Sequence, residues 1–200
     1  ITNRGAQIVP PTRLTADTLG VSEGYSSPTV QKLSNNRWMI IYSHNLGGLA
    51  FSVVDSQGNV IIGRSFIGKI GWSPVAKQLV NSDSIVIAWT AWTRNNPQIH
   101  MLVLDGNTYQ SLSGPVILTN PAASTGGDFA SLMSDSYGRA ILTWMDFNAN
   151  NRRYLYYALL DETGSILTPP MIFHSAEPDT NGQLHIETGF SGNSLTSNRQ

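Results

Sequence analysis

Three stretches of the chain share one hydrophobic pattern and align without a gap. They are Arg37-Trp38-Met39-Ile40-Ile41-Tyr42-Ser43-His44, Ser84-Ile85-Val86-Ile87-Ala88-Trp89-Thr90-Ala91 and Arg139-Ala140-Ile141-Leu142-Thr143-Trp144-Met145-Asp146. Each is followed by a second apolar run ending in Asp, at Phe51–Asp55, Met101–Asp105 and Ala158–Asp161. Helical periodicity is absent, and turn residues interrupt the pattern too often for long helices. The repeated run is apolar on both faces: Ile40, Ile87 and Leu142 fall in one column, while Met39, Val86 and Ile141 point the other way. A strand buried on both sides belongs inside a stack of sheets.

Each unit reads as four strands. The first is expected at Thr29–Leu33, Val75–Leu79 and Phe129–Met133, and the second is the repeated run itself. The third is expected at Leu49–Val54, Ile99–Leu104 and Leu155–Leu160, and the fourth at Val60–Phe66, around Val116–Leu118 and at Ile166–Phe173. The turns have a physical logic. Asp55-Ser56-Gln57-Gly58 and Asp161-Glu162-Thr163-Gly164 open on a carboxylate that can accept backbone N–H groups and close on a glycine that tolerates positive φ. Gly5, Gly58 and Gly164 occupy one turn position, 53 and then 106 (twice 53) residues apart. Four-stranded antiparallel sheets stacked at that period predict an all-β, β-propeller-like repeat. The blades are expected at 25–71, 72–125 and 126–176, with partial blades at 1–24 and 177–200. Those ends leave two arrangements open, an incomplete slice of a longer array or a closed four-bladed ring.

The order of Pro, turn, Trp-ending strand and apolar strand ending in Asp-x-x-Gly resembles tandem propeller-like repeats of large secreted or surface proteins of bacteria and archaea. The resemblance covers residues 5 to 176 and implies a scaffold or adhesive role. The sialidase Asp-box is not matched, because Ser134 to Trp144 has the wrong spacing. Neither the Trp-Asp dipeptide of WD repeats nor the Gly-Gly pair of kelch repeats recurs.

Composition narrows the partners. Charged residues make up 12% of the chain, against a usual ~25%, and the formal net charge is −1. No basic run could neutralise several phosphates, which argues against nucleic acid. The longest apolar run, Tyr154 to Leu160, is far too short to span a membrane as a helix. The chain has no cysteine, so disulfides and thiolate metal sites are excluded. A surface rich in Asn, Ser, Thr and Gly fits an extracellular or cell-surface location. Ile1, with no start methionine or signal peptide, suggests a processed product or a segment of something longer.

Candidate chemistry collects at one end of the blades. In a four-stranded blade, the loops after the second and fourth strands emerge together, opposite the hairpins. On that loop face the sequence places Tyr25, His44, Trp72, Trp92, Arg94, Asp128, Asp146 and Arg152. Aromatics, amides and guanidinium groups together suit a sugar or a protein surface. Trp89 and Trp144, inside the repeat, are expected between blades instead. Gly20-Val21-Ser22-Glu23-Gly24 matches a nucleophile elbow in letters only, because polar residues precede it and Ser-Pro follows. His44, His100, His174 and His185 have no metal-ligand spacing, and Asp179-Thr180-Asn181-Gly182 lacks the closing Glu of a calcium loop, so no metal or cofactor is expected. With no catalytic constellation recurring in the repeats, the expectation is a non-catalytic extracellular scaffold or adhesion module. Its partner would be protein, polysaccharide or further copies of itself. Two alternatives stand beside it: a carbohydrate-active hydrolase or lyase using Asp128 and Asp146, and a protomer of a surface filament or layer.

Overall fold

The computed structural model describes residues 25–44, 48–68, 71–93, 96–119, 126–147 and 153–175. They form twelve strands and no helix. The first blade comprises β1 (Tyr25–Lys32), β2 (Trp38–His44), β3 (Gly48–Val54) and β4 (Val60–Phe66). The second comprises β5 (Gly71–Gln78), β6 (Ile85–Thr93), β7 (Asn96–Leu104) and β8 (Ser111–Ile117). The third comprises β9 (Gly126–Ser134), β10 (Ala140–Phe147), β11 (Arg153–Leu160) and β12 (Ile166–Ser175). Within each blade the strands pair antiparallel in chain order. The chain is therefore an all-β propeller-type stack of four-stranded blades. The expected partial blades at 1–24 and 177–200 lie outside the described residues.

The second strand of the middle blade supplies buried side chains to the seams on both of its faces. Ile87 and Trp89 point into the core shared with the first blade, beside Met39 and Ile41. Val86 and Ala88 point into the core shared with the third blade, beside Leu142 and Trp144. Trp89 and Trp144 are each 1% exposed, so the second and third blades each drive one indole into the seam with the blade before. Burying such a side chain contributes several kcal/mol, about 3–5 by the cost of truncating it. Contacts between blades run chiefly through the first strands β1, β5 and β9, whereas β4 and β8 are largely exposed. That is the wedge of a propeller, tight inside and open at the rim.

The first strands begin earlier than expected, at Tyr25, Gly71 and Gly126, because each carries a bulge that breaks the alternation on which the expectation rested. Register slips between Ser26 and Thr29 in β1 and between Trp72 and Val75 in β5. In β9 it slips between Asp128 and Ser131, opposite Met145 and Thr143. Pro28 and Pro74 sit within the slipped stretches, where a missing N–H costs the ladder little.

Candidate site in the seam between the second and third blades

The two ends of the blades use carboxylates differently. Among the described residues, Asp55, Asp83, Asp105, Asp135, Asp161 and Glu162 all lie in hairpin turns. Four of these aspartates accept hydrogen bonds from their own turn, as Asp55 does from Gln57 N at 2.9 Å and Asn59 N at 2.8 Å. Asp128 and Asp146 are the acids that the described residues place at the opposite, loop-bearing end.

Strand pairing brings these two together. Asp146 on β10 pairs with Gly127 on β9, and Met145 pairs with Asp128, so the two acids stand on adjacent strands one step apart. The approach of β9 to the second blade depends on two glycines. A Cβ on Gly126 would meet Pro97 Cγ at 2.5 Å, and one on Gly127 would meet Thr119 Cγ2 at 2.7 Å. Beneath them the Thr119 hydroxyl donates to the Gln98 side-chain oxygen Oε1 and accepts from Ile99 N at 3.3 Å. The bulge then turns the chain: Phe129 has φ 56°, a left-handed conformation costly for a bulky residue. Its ring is 63% exposed, so side-chain burial does not hold it there. What the turn achieves is the position of Asp128, whose Oδ1 accepts from Thr90 Oγ1 of the second blade at 2.9 Å and from Phe129 N at 2.8 Å.

Asp146 is 5% exposed and accepts from Phe147 N at 2.7 Å. It shares its face of β10 with Trp144, which stacks on Tyr156 at 5.8 Å between ring centres and 12° between planes. Tyr154, the cross-strand partner of Asp146, meets Tyr156 edge-on at 6.4 Å. Burial pushes the Tyr156 phenol above its ordinary range, and the negative charge of Asp146 and then Tyr154 add to the effect. The Asp146 carboxylate therefore faces this tyrosine pair.

The remaining expected residues divide by blade. Trp72 and Trp92 come together, with ring centres 5.7 Å apart and planes at 48°. Tyr25 and His44 are Cα partners at the loop end of the first blade, and their side chains lie outside the described residues. Arg94, Arg152, the Gly20–Gly24 motif and Asp179–Gly182 also lie outside them. His100 stacks on Trp89 at 5.5 Å, and no three His, Asp or Glu side chains gather as a metal site among the described residues. Sequence reasoning overlooked Thr90, which carries Asp128; in the loop-end stretch that runs from Asp146 to Arg153, the Arg153 guanidinium lies over Phe147 at 5.5 Å. Thr90 could have been found from its place beside Trp89, as the one polar residue between Ile85 and Trp92.

No protein-family model matches the chain, and neither does any curated protein sequence. Solved structures do resemble it. A thermostable family-43 glycoside hydrolase matches with a TM-score of 0.52 and 12% identity over 80% of this chain and 55% of that one. A Hadza microbial sialidase matches with a TM-score of 0.53 and 14% identity over 76% of this chain and 38% of the sialidase. The chain thus spans about half the length of the first and less of the second. At these identities the likeness is one of fold, and it places the chain among the propellers. It also corrects the expectation of a non-catalytic scaffold or adhesion module, since the propellers found are a glycoside hydrolase and a sialidase. The physical error lay in asking for a constellation that recurs. A reactive site needs one seam only: where the third blade has Asp128 and Asp146, the second has Trp72 and Ala91.

Proposed function

We propose that this chain is part of a carbohydrate-active enzyme, a glycoside hydrolase whose reacting pair is Asp128 and Asp146. The observation that carries the reading is their juxtaposition: two acids on neighbouring strands, at the loop end of one seam, with the other described acids held in turns at the far end. Hydrolysis of a glycosidic bond uses two carboxyl groups flanking it. In this reading the half-exposed Asp128 meets water and takes its proton as the water oxygen attacks the anomeric carbon. Asp146 gives a proton to the leaving oxygen as the bond between that oxygen and the anomeric carbon breaks. Thr90 and Phe129 N hold one oxygen of Asp128 in place, leaving the other to act. Tyr154 and Tyr156 surround Asp146 with a weakly polar wall, a setting in which acid–base partners are commonly tuned. A polysaccharide substrate agrees with an extracellular location, to which the polar, weakly charged surface also points.

The test is release of new reducing ends from a panel of arabinan, galactan, xylan, β-glucan and sialylated glycan. The wild-type chain is expected to cleave at least one of them, and Asp128→Asn and Asp146→Asn are expected to abolish that cleavage while melting as the wild type does. Cleavage that survives both substitutions would remove the pair from the chemistry. No cleavage of any glycan by the wild type would overturn the reading.

A further inference from the structure

We infer that Trp72 and Trp92 form a stacking platform for one sugar ring of a polysaccharide, at the mouth of the seam that holds Asp128. The inference deepens the glycan-cleaving reading and rests on it for the position of the scissile bond, but the binding it claims is separately measurable.

Tryptophan has several uses in this fold, and Trp38, 39% exposed, carries the Lys32 ammonium over its ring. Trp89 and Trp144 are 1% exposed and fill the seams between blades. Trp92 is 57% exposed, and its ring lies against that of the half-buried Trp72, with centres 5.7 Å apart. The pair is placed by the same device that places Asp128. Trp72 stands at the bulge of β5, before Ser73 at φ 49°, as Asp128 stands at the bulge of β9, before Phe129 at φ 56°. Bulges of this kind re-aim side chains and are frequent beside active sites. The two bulges are joined by one residue. Thr90 is the cross-strand partner of Trp72 and the donor to Asp128 at 2.9 Å. Trp92 lies two residues beyond Thr90 on β6, on the face that looks towards the third blade.

The chemistry selects the occupant. A sugar ring presents a C–H face with hydroxyls around its edge, so it can cover an indole while its polar groups stay wet or reach a carboxylate. A specific protein partner needs roughly 800 Å² on each side, and two indoles at a rim, at about 150–250 Å² each, supply far less. A ring seated on Trp72 and Trp92 would put its neighbour in the chain over Thr90 and Asp128, which makes the pair a specificity-determining subsite.

The test is affinity electrophoresis of the full 200-residue chain in gels cast with each polysaccharide of the same panel. The wild type should be retarded in at least one gel. Trp92→Ala should weaken that retardation at least about tenfold in apparent Kd, as expected for a large aromatic anchor, and Trp92→Phe should restore most of it. Equal melting temperatures would show that the effect is not one of folding. Retardation lost in Trp92→Ala upholds the platform even if no glycan is cleaved, in which case the hydrolase reading alone falls. Cleavage by a wild type and a Trp92→Ala variant that are equally retarded overturns the platform alone. Absence of retardation of the wild type in every gel overturns it as well.

Discussion

The hairpin end and the loop end of these blades are built from the same residue types and do opposite things with them. At the hairpin end Asp55, Asp105, Asp135 and Asp161 are satisfied by their own turns, Asp83 accepts from Ser34 Oγ of the first blade at 3.1 Å, and further side chains lace neighbouring blades together. Gln78 Oε1 accepts from Ser34 N at 2.7 Å, Asn81 Nδ2 donates to the Tyr137 carbonyl at 2.8 Å, and the Ser82 hydroxyl reaches the Glu162 carbonyl. At the loop end Asp128 is held on a bulge by Thr90 of the second blade, outside any hairpin turn, and Asp146 is buried against tyrosines. Non-glycine residues sit at positive φ at both ends, Asn36, Asp83 and Tyr109 in the hairpins and Ser73 and Phe129 within the bulged strands at the loop end. An aspartate that finishes a turn contributes stability. One held by a bulge at a seam is positioned at a conformational cost, and such costs persist where a site requires them.

The comparison is broken most forcefully at the acids. Asp128→Asn or Asp146→Asn should lower kcat on a cleaved glycan by about 10²–10⁴, the usual worth of a general acid or base, with little change in melting temperature. Next comes the platform, where Trp92→Ala should weaken polysaccharide binding about tenfold, read by gel retardation. Gly127→Ala tests how the seam is set. Its Cβ would lie 2.7 Å from Thr119 Cγ2 and 3.0 Å from Ile99 Cγ1, both buried, so denaturant titration should show a loss of about 1–3 kcal/mol. Unchanged stability would mean that β9 can withdraw, and that the close approach does not fix Asp128.

The smallest effect belongs to the hairpin end. Asp161→Ala should lower the melting temperature by less than Gly127→Ala and leave glycan cleavage as it was; lost cleavage would erase the distinction between the ends. The pH dependence follows the same logic. Asp55 is held below the ordinary 3.8 by the Asn59 side chain and turn N–H groups, and Asp105 by Thr108. At Asp135 and Asp161 slight burial works upward, but Arg139 and Thr163 with the turn N–H groups outweigh it. Because the folded values lie below the unfolded one, the unfolded chain binds more protons in this range, and stability rises with pH there. The contribution is complete above about pH 4 to 5 and is lost as pH falls through the depressed values. Replacing the four aspartates by Asn should flatten the acid limb of the melting-temperature profile; an unchanged limb would show that the turns do not hold their carboxylates.

Much of this architecture is legible in the residues. The fourth strand of the first blade is expected at Val60–Phe66 and found there, because Asp-x-x-Gly before it and the apolar core strand before that leave one register. Ile87 and Leu142 facing the blade before, and Met39 and Val86 facing the blade after, follow from period-two alternation. The first strands were legible only in their second halves. A bulge inserts residues without a pattern, and Ser-Pro or Gly-Gly at that point reads as turn. For the same reason Asp128 could be placed at the loop end but not tied to Thr90. That bond depends on how far β9 approaches the second blade, which the spacing of hydrophobic residues does not encode. The function was misjudged because repetition of the scaffold was taken to require repetition of the chemistry.

The most direct measurement is a crystal structure of the Asp128→Asn protein soaked with an oligosaccharide from whichever polysaccharide it retards on or cleaves. The account predicts one sugar ring over Trp92 and Trp72 and a glycosidic oxygen within hydrogen-bond reach of residue 128. An oligosaccharide seated on another seam or on the hairpin end, with the two indoles bare, would contradict it.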